Sequence, residues 1–152
     1  MNERIWIYTL SKELTADQLI DFTNRCQQFV IGWTAHDVSL DASYELHKNR
    51  LLIFKVNESK YNASGCSIDK QTRFVKELEQ AFSIDLLNRL LVAYDNNDEI
   101  NVVKQSEISN LLSSKIISAN TIVYNNTITQ STELVSSWKQ PLQQTWLAKY
   151  LN

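Results

Sequence analysis

A chain of 152 residues with 43% hydrophobic and 10% aromatic content has the size of one ordinary domain and is long enough to bury a sizeable core without disulfide or metal staples. Its formal net charge of −2, with 15 Lys and Arg residues scattered rather than gathered in a stripe, excludes the basic surface that neutralises nucleic-acid phosphates. Two glycines, one proline and two cysteines leave no flexible linker, no low-complexity tract and no disulfide framework.

In chain order, Arg4 to Leu10 is aromatic and β-branched and reads as a strand. Thr15-Ala16-Asp17-Gln18 is a capping box, and Leu19, Phe22, Cys26 and Phe29 follow at helical spacing until Gly32. Val38, Leu40, Ala42, Tyr44 and Leu46 alternate, His47-Lys48-Asn49 supplies a turn, and Arg50 to Val56 returns as a second strand of a hairpin. Asp69 is the expected cap of a helix running to Phe82, with Phe74, Leu78 and Phe82 as its apolar stripe. Arg89 to Asp95 reads as a strand, Asn96 to Glu99 as a turn and Ile100 to Lys104 as its partner. The remaining third predicts a helix near Ser106 to Lys115, a short strand at Thr121 to Tyr124, and helices over Thr132 to Lys139 and Pro141 to Leu151.

The order strand, helix, strand, strand, helix, strand is that of an α+β, ferredoxin-like (βαββαβ) antiparallel sheet, here with an additional strand pair. Residues 1–152 therefore read as a single domain, with a core over about 4–104 and an α-rich extension over about 105–152. Trp6, Tyr8 and Leu10 alternate with Ile5 and Ile7, and Leu90, Val92 and Tyr94 with Leu91 and Ala93, so both sheet faces are apolar and both need cover. The C-terminal helices, through Leu134, Trp138, Leu142, Trp146 and Leu147, are the expected cover for the second face.

The chemistry-bearing stretch is Ser64-Gly65-Cys66-Ser67-Ile68-Asp69, which sets a cysteine at a helix start, where outward N–H groups and the positive end of the dipole favour a thiolate. The expected topology brings Trp33, His36 and Asp37 to the same sheet edge, with Asp95 close by. A thiol-dependent enzyme or redox sensor would use Cys66 as nucleophile, His36 as base and Asp69 as an acidic orienter. A second reading is a small anion or phosphate held by the N–H groups and hydroxyls of Ser64, Gly65 and Ser67, with Trp33, Asp37 and Asp95 at the rim. The plain alternatives are that Cys66 is an apolar filler, Gly65 meets an unusual backbone angle, and His36 orders a loop.

Several defined chemistries are absent. No Gly-x-x-x-x-Gly-Lys-[Ser/Thr] is present, so the chain is not a P-loop ATPase, and Cys66 and Arg73 are one residue too far apart for a cysteine-phosphatase loop. Ile5 to Leu10 has the look of the first-strand motif of an RNA-recognition module, but Asn49 to Val56 lacks its glycine-containing aromatic partner. No zinc spacing occurs, and the expectation is no metal, no cofactor and no nucleic acid.

Gly32-Trp33-Thr34-Ala35-His36, Ser64 to Asp69, Glu77-Leu78-Glu79, Trp138, Pro141-Leu142 and Trp146 together resemble an uncharacterised family of small Bacteroidota proteins over nearly the full length. Members are sometimes labelled ABC transporter ATPase, a label that the missing phosphate loop contradicts for this sequence, and the resemblance implies no activity. The N-terminus leads at once into an amphipathic strand, and no apolar run approaches membrane-spanning length. The expected setting is the cytoplasm, without membrane insertion. The expected function is a binding or regulatory module with an unknown protein partner, its working edge being His36 and the Ser64–Asp69 loop.

Overall fold

The computed structural model describes residues 2–152 and shows a mixed α+β chain arranged in layers. Strand β1 (Glu3–Thr9) leads into helix α1 (Ala16–Gly32). The Thr15 capping box forms as expected: the Thr15 hydroxyl accepts from Gln18 N, and the Gln18 side chain accepts from Thr15 N. A two-residue hairpin, β2 (Thr34–Ala35) and β3 (Val38–Ser39), precedes the long hairpin of β4 (Asp41–His47) and β5 (Leu51–Asn57).

In the first sheet β5 is central, with antiparallel β1 and β4 on either side. One face carries Trp6, Tyr8, Tyr44, Leu52, Phe54 and Val56 against α1 and α2 (Gly65–Phe82), whose Phe22, Cys26, Val30, Val75, Leu78 and Phe82 fill that layer. The opposite face carries Ile5, Leu51 and Ile53, and it too is dry.

A second antiparallel sheet covers that opposite face. It has the order β7-β6-β8-β9, from β6 (Leu91–Asn96), β7 (Glu99–Lys104), β8 (Ile122–Tyr124) and β9 (Lys139–Pro141). Ala93, Ile100, Tyr124, Ile128 and Trp138 point at the first sheet. The far side, with Val92, Tyr94 and Val123, is covered by Ile108 of α3 (Ile108–Ser113), Ile117, Leu142 and Leu147. The layers therefore run helices, sheet, sheet, short helices. Arg50 clamps the two sheets, because its buried guanidinium donates to Leu10 O at 3.1 Å and to Ile100 O at 3.4 Å.

Three expectations need correction. The β1-β5-β4 order is that of the first three strands of a ferredoxin-like sheet, but β6 does not take the fourth place beside β1. It pairs with β7 and β8 instead, and β1 is flanked by residues 129–131, through Ile5 N to Thr129 O at 2.9 Å and Ser131 N to Glu3 O at 3.0 Å. The second face is closed mainly by a sheet rather than by C-terminal helices. Of the helices expected beyond residue 131, one turn forms as α4 (Glu133–Ser136), β9 follows, and 3₁₀ turns at Leu142–Gln144 and Trp146–Tyr150 replace the last helix. Trp138 is buried as expected, whereas Trp146 is 44% exposed.

The tight turns are built without glycine. His36 and Asp37, Lys48 and Asn49, and Asn97 hold φ between 48° and 64°, while neither glycine has a positive φ. A Cβ added to Gly32 or Gly65 meets nothing within 4 Å. Both glycines lie in helices, so replacing either by alanine is expected to raise stability by about 0.4–1 kcal/mol. Urea unfolding of Gly32→Ala and Gly65→Ala checks this, and a loss of stability in both would overturn it.

Candidate functional site

The helix that begins the Ser64–Asp69 stretch starts earlier than the sequence implied. Ser64, not Asp69, is its N-cap: the Ser64 hydroxyl accepts from Ser67 N at 3.1 Å, and the Ser67 hydroxyl donates back to Ser64 O at 2.7 Å. Ser67 is fully buried, and both hydroxyls are engaged within the cap. Gly65 occupies the first helical position with no unusual backbone angle, and Asp69 stands exposed in the second turn.

Trp33 fastens this helix start to the end of α1. Its indole Nε1 donates to Ser67 O at 2.8 Å, and its ring lies edge-on to Trp6 at 5.8 Å and against Phe29 at 5.0 Å. Lys70 Nζ adds a bond to Thr34 Oγ1 at 3.1 Å. The expected approach of residue 33 to the loop is therefore present. His36 and Asp37 form the left-handed tip of the β2–β3 hairpin and are both exposed.

Cys66 is exposed, whereas Cys26 is buried in the α1 core layer, where burial pushes its thiol up to about 12. Cys66 is thus not an apolar filler. Among the described residues no hydrogen bond joins Cys66 to His36 or Asp69. Asp95 does not belong to this edge, because it lies on β6 in the second sheet, across the first sheet from α2. The four-strand register that would have brought it near is the one β6 does not adopt.

Asp95 instead anchors a polar cluster between the sheets that the sequence did not reveal. Tyr124 donates its hydroxyl proton to Asp95 Oδ1 at 2.5 Å, and Lys139 Nζ reaches Asp95 Oδ2 at 3.1 Å. Burial, followed by the neighbouring carboxylate, pushes the Tyr124 hydroxyl well above the usual phenol range. His47 packs between Tyr124 and Trp138, with ring centroids at 5.9 Å and 4.9 Å, and its Nε2 is buried without a hydrogen-bond partner. Trp138 Nε1 donates to Asn126 Oδ1 at 2.8 Å, and Asn126 Nδ2 to Thr9 Oγ1 at 3.0 Å. The sequence signal that was available is parity: His47 continues the Asp41, Ser43, Glu45 face of β4 and so points at the second sheet, instead of opening a turn.

Surface depressions are shallow. One of about 460 Å³ lies between α1 and α2 over Phe29, Phe74 and Leu78, rimmed by Arg25 and Glu77. Another of about 610 Å³ lies beside α3 and the C-terminal Tyr150 and Leu151. Among the described residues no group of three or more His, Cys, Asp or Glu side chains is placed to hold a metal ion, and no helix is long and apolar enough to cross a membrane. Comparison with family models, curated proteins and solved structures finds no match to this chain.

Burial lowers the His47 proton affinity below its ordinary value of 6.5, an effect only partly opposed by Glu45 and Asp95 and reinforced by Lys48 and Lys139. The unfolded chain then binds the proton better than the folded one, so stability is full above that ordinary value and falls as pH drops through it. His47→Gln is expected to flatten the fall in melting temperature between neutral and mildly acidic pH. An unchanged slope in His47→Gln would contradict this. Cys66→Ala is expected to stay within about 0.5 kcal/mol of the parent, whereas Cys26→Ser, which buries a hydroxyl, loses about 1–3 kcal/mol by chemical unfolding.

Proposed function

We propose that the chain is a single-domain cytosolic binding or regulatory module that recognises a protein partner through the edge formed by the His36-Asp37 hairpin tip and the start of α2. One observation carries this reading: the groups that hold the edge are consumed in holding it. The Trp33 indole is bonded to Ser67 O, the Ser64 and Ser67 hydroxyls cap α2, and Lys70 is tied to Thr34. Around this braced frame His36, Asp37, Val38, Tyr61, Cys66 and Asp69 remain exposed, a mixed polar and apolar rim on a preorganised backbone. A rigid frame with an accessible rim suits recognition, because little ordering entropy is lost on docking.

A second reading is a thiol-dependent enzyme or redox sensor, favoured by the exposure of Cys66 at this same edge. The small-anion reading has less support, since the two serine hydroxyls that would serve as donors are already engaged within the helix cap.

A photo-crosslinker installed at Asp37 or Tyr61 is expected to give one discrete protein adduct in native lysate, competed by unmodified protein and not by an Asp37→Lys, Tyr61→Ala variant. Labelling that neither competitor diminishes would sink the binding reading. Native-state iodoacetamide mapping separates the thiol alternative. Cys66 is expected to label and Cys26 to resist until the protein unfolds, and a Cys66 protected in the native state removes the thiol reading.

A further inference from the structure

Arg50 is only 8% exposed, yet no carboxylate stands within ion-pair distance of its guanidinium among the described residues. Its three hydrogen bonds all run to backbone carbonyls, from Nε and Nη2 to Leu10 O and from Nη1 to Ile100 O, at 3.1–3.4 Å. A guanidinium has a second N–H on each terminal nitrogen, and here both of those stay without a protein acceptor. Taking a charge out of water is costly, so a buried cation ordinarily meets a counter-charge. Burial works against the charge of Arg50, and Glu13, from beyond ion-pair distance, offsets it only in part. The guanidinium borders a depression of about 380 Å³, at the end of β4 away from the His36 hairpin tip. Three connections frame it. The β1–α1 segment brings Glu13 and Leu14, the β4–β5 turn brings Lys48 in a left-handed conformation, and the β6–β7 turn brings Asp98 and Glu99.

Cations and carboxylates therefore share one small cavity. A simple anion would meet Glu13, Asp98 and Glu99, and a simple cation would meet a guanidinium that cannot swing away, because two carbonyls fix it. A ligand that carries both charges close together satisfies both sides at once. The volume lies at the small end of ligand sites, which run from about 300 to 1,000 Å³, and so suits a small molecule. Half-buried Leu14 and Leu19 supply an apolar wall. We infer that this depression binds a free α-amino acid with an aliphatic side chain. The ligand carboxylate accepts from the two spare N–H groups of Arg50, its ammonium faces Glu13, and its side chain rests on Leu14 and Leu19. Glu13 takes the ammonium because it is the carboxylate whose field reaches the guanidinium. The ligand thus supplies the counter-charge that the chain does not, while the bonds from Arg50 to Leu10 and Ile100 stay in place.

The test varies the ligand first, because Arg50 joins the two sheets and its replacement would disturb the fold. Backbone amide shifts are followed by heteronuclear NMR at neutral pH against L-leucine, against isocaproate, which lacks the ammonium, and against L-leucinamide, which lacks the carboxylate. L-leucine is expected to shift the amides of Glu13, Asn49 and Asp98 saturably. Each of the other two is expected to bind at least about tenfold more weakly, through the loss of one charge-assisted arm. Glu13→Gln, at an exposed position, is expected to keep the parent's circular dichroism spectrum and to lose at least about tenfold in L-leucine affinity, while isocaproate binds no more weakly than before. The absence of a saturable shift with L-leucine overturns the proposal. So does isocaproate or L-leucinamide binding as tightly as L-leucine, or a Glu13→Gln chain that binds L-leucine as the parent does.

Discussion

Strand β5 can leave neither of its faces in water. Leu51, Leu52, Ile53 and Phe54 are all fully buried, and because successive side chains point to opposite sides, each pair demands a separate covering layer. Burial of each side chain is worth about 1.5–3 kcal/mol, so exposing either face would remove a large share of the net stability of a domain this size. The architecture follows from that requirement. Leu52 and Phe54 call for α1 and α2, Leu51 and Ile53 call for the second sheet, and that sheet needs α3 and the terminal turns because its far side carries Val92, Tyr94 and Val123.

This requirement also explains how far the sequence could be read. The longer elements up to Lys104 are legible because their periods are clean and their caps are local, as with Thr15 and Gln18 around the start of α1, whereas the short β2–β3 hairpin is not, because Val38 continues the alternation of β4. The need for a second cover was legible in the double alternation of Ile5 to Leu10. What filled it was not. A three-residue strand such as Ile122–Tyr124 carries too few positions to show a period, and its pairing with β6 rests on contacts distant in sequence. Trp138 and Trp146 look alike at helical spacing, yet a strand at Lys139–Pro141 intervenes and turns only the first of them inward.

The candidate site shows the same division. Trp33 meeting the start of α2 was legible, because it follows from the strand, helix, hairpin, helix order of the first sheet, which does form. Ser64 as the cap was hidden by Asp69, an equally good capping residue a few positions later. Asp95 was misplaced because its position depended on which strand β6 would choose as neighbour. The cluster that Asp95 does form, with Tyr124, Lys139 and His47, draws on four separate stretches of chain and has no motif in any of them. Its buried imidazole is a product of packing between sheets, which local sequence does not encode.

The return of residues 128–131 to the free side of β1, with Asn126 bonded to Thr9, has a consequence for biosynthesis. Strand β1 is completed by a stretch that is made more than a hundred residues after it. Until the region from Tyr124 to Trp138 has emerged, the Ile5, Leu51, Ile53 surface has Ala93 and Ile100 to lie over it but not Tyr124, Ile128 or Trp138, a half-covered, adhesive state lasting seconds at ordinary translation rates of about 5–20 residues per second. A stall or truncation upstream of Tyr124 would therefore leave a product whose inner face is only partly covered.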